Sequence, residues 1–198
     1  MAGELQGHLP PATIMLFVMP VPTIFFMMAQ ARYGRFLPTM LDWIQHTLDS
    51  HAAMALPVAS FGFKRLPLHF STSLLNAAQV VITDHLPVPP LSAMGLSDFA
   101  SFEVQPMSGV TYRDTYFLVP NASANESVHL HELVHVIQWR VLGARDFLLL
   151  YAAGLIEHDY ASSPLEKMAY EHQARFDAGQ EQYSVEAEVR EQVLALLP

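Results

Sequence analysis

The stretch SANESVHLHELVHVIQWRVLG, Ser123 to Gly143, decides how the chain folds and where its chemistry sits. Ser123 and Glu126 have the spacing of a capping box, in which each side chain satisfies a backbone N–H at a helix start. Leu130, Leu133, Val134, Ile137 and Val141 then recur at i, i+3, i+4, i+7 and i+11, the stripe of a helix with one buried face. Gly143 is a natural C-terminal stop. On this helix His131 and His135 stand one turn apart on one face. Two neutral imidazoles so placed can meet one Zn²⁺ at about 2.0–2.1 Å each. Glu132 is rotated about 100° from His131, outside that stack but within reach of a water on the metal's open side. The plain alternative is a satisfied structural histidine pair. His129 lies two residues before His131 and faces elsewhere, as a surface residue or a support behind a ligand.

A catalytic zinc needs a third protein ligand and a position left for water. The extended pattern H-E-x-x-H-x-x-G-x-x-H fails, because Gln138 stands at the glycine and Val141 at the last histidine. Downstream candidates are Glu157, His158, Asp159, Glu166, Glu171 and His172. Ser163-Pro164-Leu165-Glu166 reads as the start of another long helix, with proline in its first turn. As the third residue of a capping box opened by Ser163, Glu166 has a plain role of its own. Leu165, Met168, Ala169 and Phe176 mark that helix's apolar face; Glu166 borders it and Glu171 is turned away. Spacing favours Glu166, with Glu171 and Glu157 the other candidates.

Composition narrows the function. The chain has 198 residues, enough for one domain with a real core, and 52% of them are hydrophobic. Ten Lys plus Arg against nineteen Asp plus Glu give a formal charge of -9. That excludes a nucleic-acid binder, which needs a cationic stripe to displace counterions. There is no cysteine, so any metal site must use histidines and carboxylates, and thiolate catalysis is excluded. Ala12 to Ala29 carries no charge and is long enough to be considered as a membrane span. Pro20 and Pro22 would break a lipid-exposed helix, so the favoured expectation is a buried, kinked segment over the core. Membrane contact through 12–29 is the alternative. With Glu4 and no Lys or Arg in Met1 to Pro11, a secretory signal is a poor reading. The expected compartment is the cytoplasm, with membrane association second.

The remaining elements follow from pattern. Phe36 to Ala55 reads as an amphipathic helix ended by Pro57, and Ser71 to Ala78 as a short helix. Gln79 to Thr83, Phe99 to Val104 and Val110 to Val119 read as strands, with Leu86 to Leu91 a proline-stiffened loop. Tyr112 and Tyr116 are placed on one face of that last strand, as core. Ser184 starts a C-terminal helix with Val185, Val189, Val193 and Leu196 along one side, packing on the core or on another copy. Helices, a small sheet and helices again make the class α+β. Residues 1–60 form a hydrophobic, helical segment that packs on or anchors the domain at 61–198.

HELVHVIQW (His131 to Trp139), FLLLYAAGL (Phe147 to Leu155), Tyr160 and SPLEKMAYEHQARF (Ser163 to Phe176) resemble a group of little-characterised bacterial zinc-metallopeptidase-like proteins. VVITDHLPVPPL (Val80 to Leu91) and GVTYRDTYFLV (Gly109 to Val119) share the resemblance, which is weak before Phe61. The group belongs to the zincins with a glutamate third ligand, the gluzincin type. The resemblance implies a minimal zincin-like domain, a small sheet packed on the H-E-x-x-H helix, and Glu166 as third ligand. Better-known gluzincins carry an acidic residue four positions after that glutamate to orient a ligand histidine; here Tyr170 stands there.

The implied activity is peptide-bond hydrolysis. Zn²⁺ would make its water acidic near neutral pH and polarise the scissile carbonyl. Glu132 would take the water proton and hand it to the leaving amine. Tyr160 is the first candidate to steady the oxyanion and His172 the second, packing and a surface role being their plain alternatives. The strand Val110 to Val119 can offer its edge to an extended peptide. Two other functions stay open: a non-catalytic, zinc-stabilised interaction module, and a membrane-associated protein with a vestigial site.

Overall fold

In the computed structural model, which describes residues 21–180 and 182–197, the elements arrange themselves around one long helix, α5 (Glu126–Glu157). It starts two residues later than the capping-box spacing predicts. Asn125 is the N-cap, its side-chain oxygen accepting from Ser127 N–H at 3.0 Å, while Ser123 Oγ bonds the Pro120 carbonyl. Glu126 is turned outward to clamp the N–H groups of Lys64, Arg65 and Leu66 at 2.9–3.1 Å. Gly143 does leave helical backbone (φ 71, ψ 163), a conformation that costs glycine little, but helix resumes at once. The expected stop is therefore a kink, and it turns a second helical segment back across the site.

The sheet has four strands in the order β1 (Leu56–Pro57), β2 (Gln79–Ile82), β4 (Thr115–Leu118), β3 (Gly109–Tyr112). β2 and β4 run parallel; the other pairs are antiparallel. The single strand expected over Val110 to Val119 is thus a hairpin, turned at Arg113-Asp114 with Arg113 at φ 57. Thr111 pairs with Tyr116 and Tyr112 with Thr115, so the two tyrosines point to opposite faces instead of one. Thr111 and Tyr116 face α5 and bond it. Tyr112 and Phe117 face the other way, against Trp43 and His51 of α2 (Leu37–His51). Phe99 to Val104, expected as a strand, holds a short helical turn, α4 (Ala100–Glu103), after α3 (Thr72–Ala77) and its Ser71 cap.

α6 (Pro164–Asp177) and α7 (Val185–Leu194) pack on α5 from the side away from the sheet. Ser184 caps α7 as its sequence suggests, and Val185, Val189 and Val193 are fully buried in the core. The fold is α+β: helix, sheet and helix layers, with α5 in the middle. α1 (Val21–Tyr33) also lies on α5, through buried Phe26 and Ala29, while Ile24, Met27 and Met28 are exposed. Pro22 is the second residue of α1, where no helical N–H bond is lost. The rest of the expected 12–29 segment, with Pro20, lies outside the described residues. Among the described residues no helix is long and apolar enough to cross a membrane.

Candidate metal centre

The i, i+4 spacing brings the two motif imidazoles together as expected, with His135 Nε2 3.1 Å from His131 Nε2. α6 then lays Glu166 across them: its Oε2 is 3.4 Å from His131 Nε2 and its Oε1 3.4 Å from His135 Nε2. All three side chains are buried, and together they could hold a metal ion. Tetrahedral coordination at about 2.0–2.1 Å separates ligand atoms by about 3.3–3.4 Å. The observed separations, 3.1, 3.4 and 3.4 Å, lie close to that spacing, the two from Glu166 running to different oxygens of its carboxylate.

Hydrogen bonds behind each ligand fix which atom faces inward. Gln138 Nε2 donates to the Leu165 carbonyl at 2.9 Å, so its oxygen must be the atom 2.8 Å from His135 Nδ1. That nitrogen therefore carries the hydrogen, and Nε2 of the neutral ring offers a lone pair. His131 Nδ1 is held in the same way by Gln173 Oε1 at 3.1 Å. Tyr151 donates to Glu166 Oε1 at 2.7 Å, whereas Glu166 Oε2 is buried with no hydrogen-bond partner. Two lone pairs and a carboxylate within 3.4 Å of one another call for positive charge between them. A metal cation held there could supply it, and so could a proton on one imidazole. Burial would lower His135, but the Glu166 carboxylate outweighs it and takes the imidazole up to about 9. Burial likewise pushes Glu166 up, yet His135 and His131 hold it well below the usual carboxylate range.

Glu132 lies on the other side, wedged between α5 and the sheet at 4% exposure. Its Oε2 accepts from Thr111 Oγ1 at 2.6 Å, and Oε1 lies against Gly109. A Cβ at residue 109 would collide with that carboxylate and with Leu118, so only glycine lets β3 come this close. Trp139 Nε1 donates to the Thr111 carbonyl at 3.2 Å and pins the strand to the helix. Burial raises Glu132; both imidazoles and Thr111 pull it back without cancelling that effect.

The other sequence candidates fall away from the cluster. Glu157, His158 and Asp159 are exposed, and Glu171 pairs with Lys167 on the surface. Ser163 makes no side-chain cap, so Glu166 is not the arm of a capping box. His129 is fully buried: Nε2–H donates to the Ser123 carbonyl, leaving Nδ1 to accept from the Tyr116 hydroxyl. It ties the start of α5 to β4 and has no place at the cluster. His172 faces α7, bonded to Gln192 at 3.2 Å. Tyr160 does reach the site and lines the same cavity as Glu132, His135 and Glu166. Tyr170 packs its ring against His131 at 4.6 Å, and the orienting bond expected from an acidic residue there comes from Gln173. Gln173 is seven residues after Glu166, on the same helical face. Pattern reading missed Gly109, Thr111, Tyr151 and Gln173; only helical spacing from Glu166 could have pointed to the last.

The cluster opens onto a cavity of about 980 Å³, part of it continuous with solvent, walled by α1, α2, β3 and the second segment of α5. No family model, curated protein or solved structure matches the chain.

Proposed function

We propose that the chain is a minimal zincin-type zinc metallopeptidase in which His131, His135 and Glu166 hold the metal and Glu132 is the general base. One observation carries this: the donor atoms of three buried side chains converge closely enough to share one metal ion while a fourth buried group, the Glu132 carboxylate, borders the same cavity. Two histidines and a carboxylate without sulfur suit zinc well. When bound, zinc supplies Lewis acidity, polarising a carbonyl oxygen and making a coordinated water acidic near neutral pH.

The chain's own residues do the rest. Glu132, anchored through Oε2 by Thr111, keeps Oε1 to take the proton of the attacking water. Its raised affinity for a proton suits a group that must hold one and then deliver it to the leaving amine. Water adds to the carbonyl carbon, the C–N bond breaks, and carboxylate and amine leave. Gln138 and Gln173 keep both imidazoles aimed inward throughout. Tyr160, which lines the same cavity, is the candidate donor to the oxyanion. β3, the edge strand, borders the cavity and suits an extended substrate backbone.

Metal analysis of the purified chain, paired with peptide hydrolysis, tests this. Wild type is expected to carry one zinc per chain and turn over peptide, His135→Ala to lose the metal, and Glu132→Gln to keep metal but lose turnover. Zinc retained with no turnover in either wild type or Glu132→Gln would make the chain a zinc-stabilised module instead.

A further inference from the structure

The cavity that meets the cluster has a chemistry of its own. One wall is Tyr33, Phe36 and Met40 from α1, α2 and the turn between them; another is Phe147, Tyr151 and Leu155 from the second segment of α5. Leu91, Phe99 and Phe102 close it from the segment before β3. No Lys, Arg, Asp or Asn is among its described lining residues, and its charged groups are those of the cluster. Three lining phenols have their hydroxyls committed elsewhere: Tyr33 to Asp98 at 2.8 Å, Tyr112 to the Pro87 carbonyl at 2.7 Å, Tyr151 to Glu166 at 2.7 Å. They present ring faces, not donors.

Resting on the peptidase function above, we infer that this cavity selects peptides with bulky apolar side chains flanking the scissile bond, and rejects charged ones. An apolar side chain leaving water for these walls gains the hydrophobic free energy of the area it buries. A charged one would lose its hydration with no counter-charge on the walls to replace it. The cavity, about 980 Å³ counting the part open to solvent, takes its lining from several elements around β3. An extended peptide beside β3 sends alternate side chains to one face, so it delivers two of them to the same cavity. The kink at Gly143 builds this wall, because it turns the second segment of α5 back over Glu166.

Fluorescence anisotropy of two dansyl octapeptides tests the inference on the zinc-loaded full chain, with turnover of the same peptides read separately. One peptide carries Leu and Phe at its four central positions; the other carries Asp, Ser and Lys there. The apolar peptide is expected to bind at least tenfold tighter. Ala152→Trp, which fills the cavity, and Phe102→Ala, which strips the side closed by the segment before β3, should each remove most of that preference. Thermal melts report whether each variant folds. Equal binding of the two peptides, or a preference intact in both folded variants, overturns the inference. So does absence of binding by either peptide. A strong binding preference without turnover would sink the peptidase function and leave the cavity's selectivity standing; equal turnover of both peptides would do the reverse.

Discussion

Two carboxylates flank one pair of imidazoles, in two niches the fold builds differently. Glu132 sits between α5 and β3, under Gly109, with one hydroxyl for company. Glu166 sits between α5 and α6, with an imidazole at each oxygen and the Tyr151 hydroxyl on one of them. Burial is nearly the same, 4% and 1% exposed, so desolvation cannot tell them apart. Their neighbours do: Glu132 is raised and Glu166 is held low. Where environments push two titratable groups apart, they take different parts in the chemistry. The low one is an anion fit to hold a cation; the raised one is fit to carry a proton.

Exchanging these parts by mutation should break the comparison most severely. Glu166→Gln removes the carboxylate that lies beside both imidazoles, and zinc content after dialysis is expected to fall from one per chain to near zero. Glu132→Gln should leave zinc in place and lower kcat about 10²–10⁴-fold, the usual worth of a positioned general base. Metal loss in Glu132→Gln, or metal retained in Glu166→Gln, would show that the two niches are not divided in this way.

A smaller effect is expected from the groups behind the ligands. Gln138 is fully buried and bonds both His135 and the Leu165 carbonyl, joining α5 to α6. Gln138→Leu should weaken zinc about 10–100-fold in a competition titration. Gln173 is half-buried and bonds one ring only, so Gln173→Leu should cost less. The reverse order would mean that His131, not His135, depends more on its partner.

Gly109→Ala tests the Glu132 niche alone. The new methyl would meet Glu132 Oε1 and come within 2.6 Å of Leu118 Cδ2, so strand or carboxylate must move. Overpacking of this kind costs about 1–3 kcal/mol. Chemical denaturation should register that loss while zinc content stays at one and kcat falls. Unchanged kcat would mean that Glu132 does not depend on the close approach of β3.

Local spacing made the imidazole pair legible, because four residues along a helix always return to one face. Glu166 was legible for a similar reason: its place on the apolar border of a second helix needs only that helix's own pattern. Gly109 and Thr111 were not, because their part depends on how closely a strand approaches a helix twenty residues later. The hairpin was hidden by its turn. Arg113-Asp114 lacks the Asn-Gly or Asp-Gly signal that usually marks a positive φ, so a β-rich run read as one strand. That reading put Tyr112 on the same face as Tyr116, where the structure has Thr111. Gly143 reads as a helix stop, whereas the structure has a kink there; nothing in the local pattern signals that helix re-forms from Ala144 onward and walls the cavity.

The smallest predicted effect sets proton against metal in the Glu166 niche. In metal-free protein His135 titrates at about 9 against an ordinary 6.5, so its stabilising charge is fully present below 6.5 and is lost as pH rises through 9. Glu166, held below its ordinary 4.5, stabilises above 4.5 and loses that contribution as pH falls. Glu132, raised above 4.5, destabilises progressively as pH climbs from 4.5 through its folded value. The three together place maximum stability of the metal-free chain near 4.5, with a decline toward 9. Zinc competes with the proton for the imidazole nitrogens, so its stabilisation grows over the interval where the metal-free chain weakens. Melting temperatures in EDTA and in excess zinc should therefore diverge steadily from pH 6 to pH 9. Parallel curves would mean that the imidazoles and Glu166 do not share a cation site, whatever their spacing.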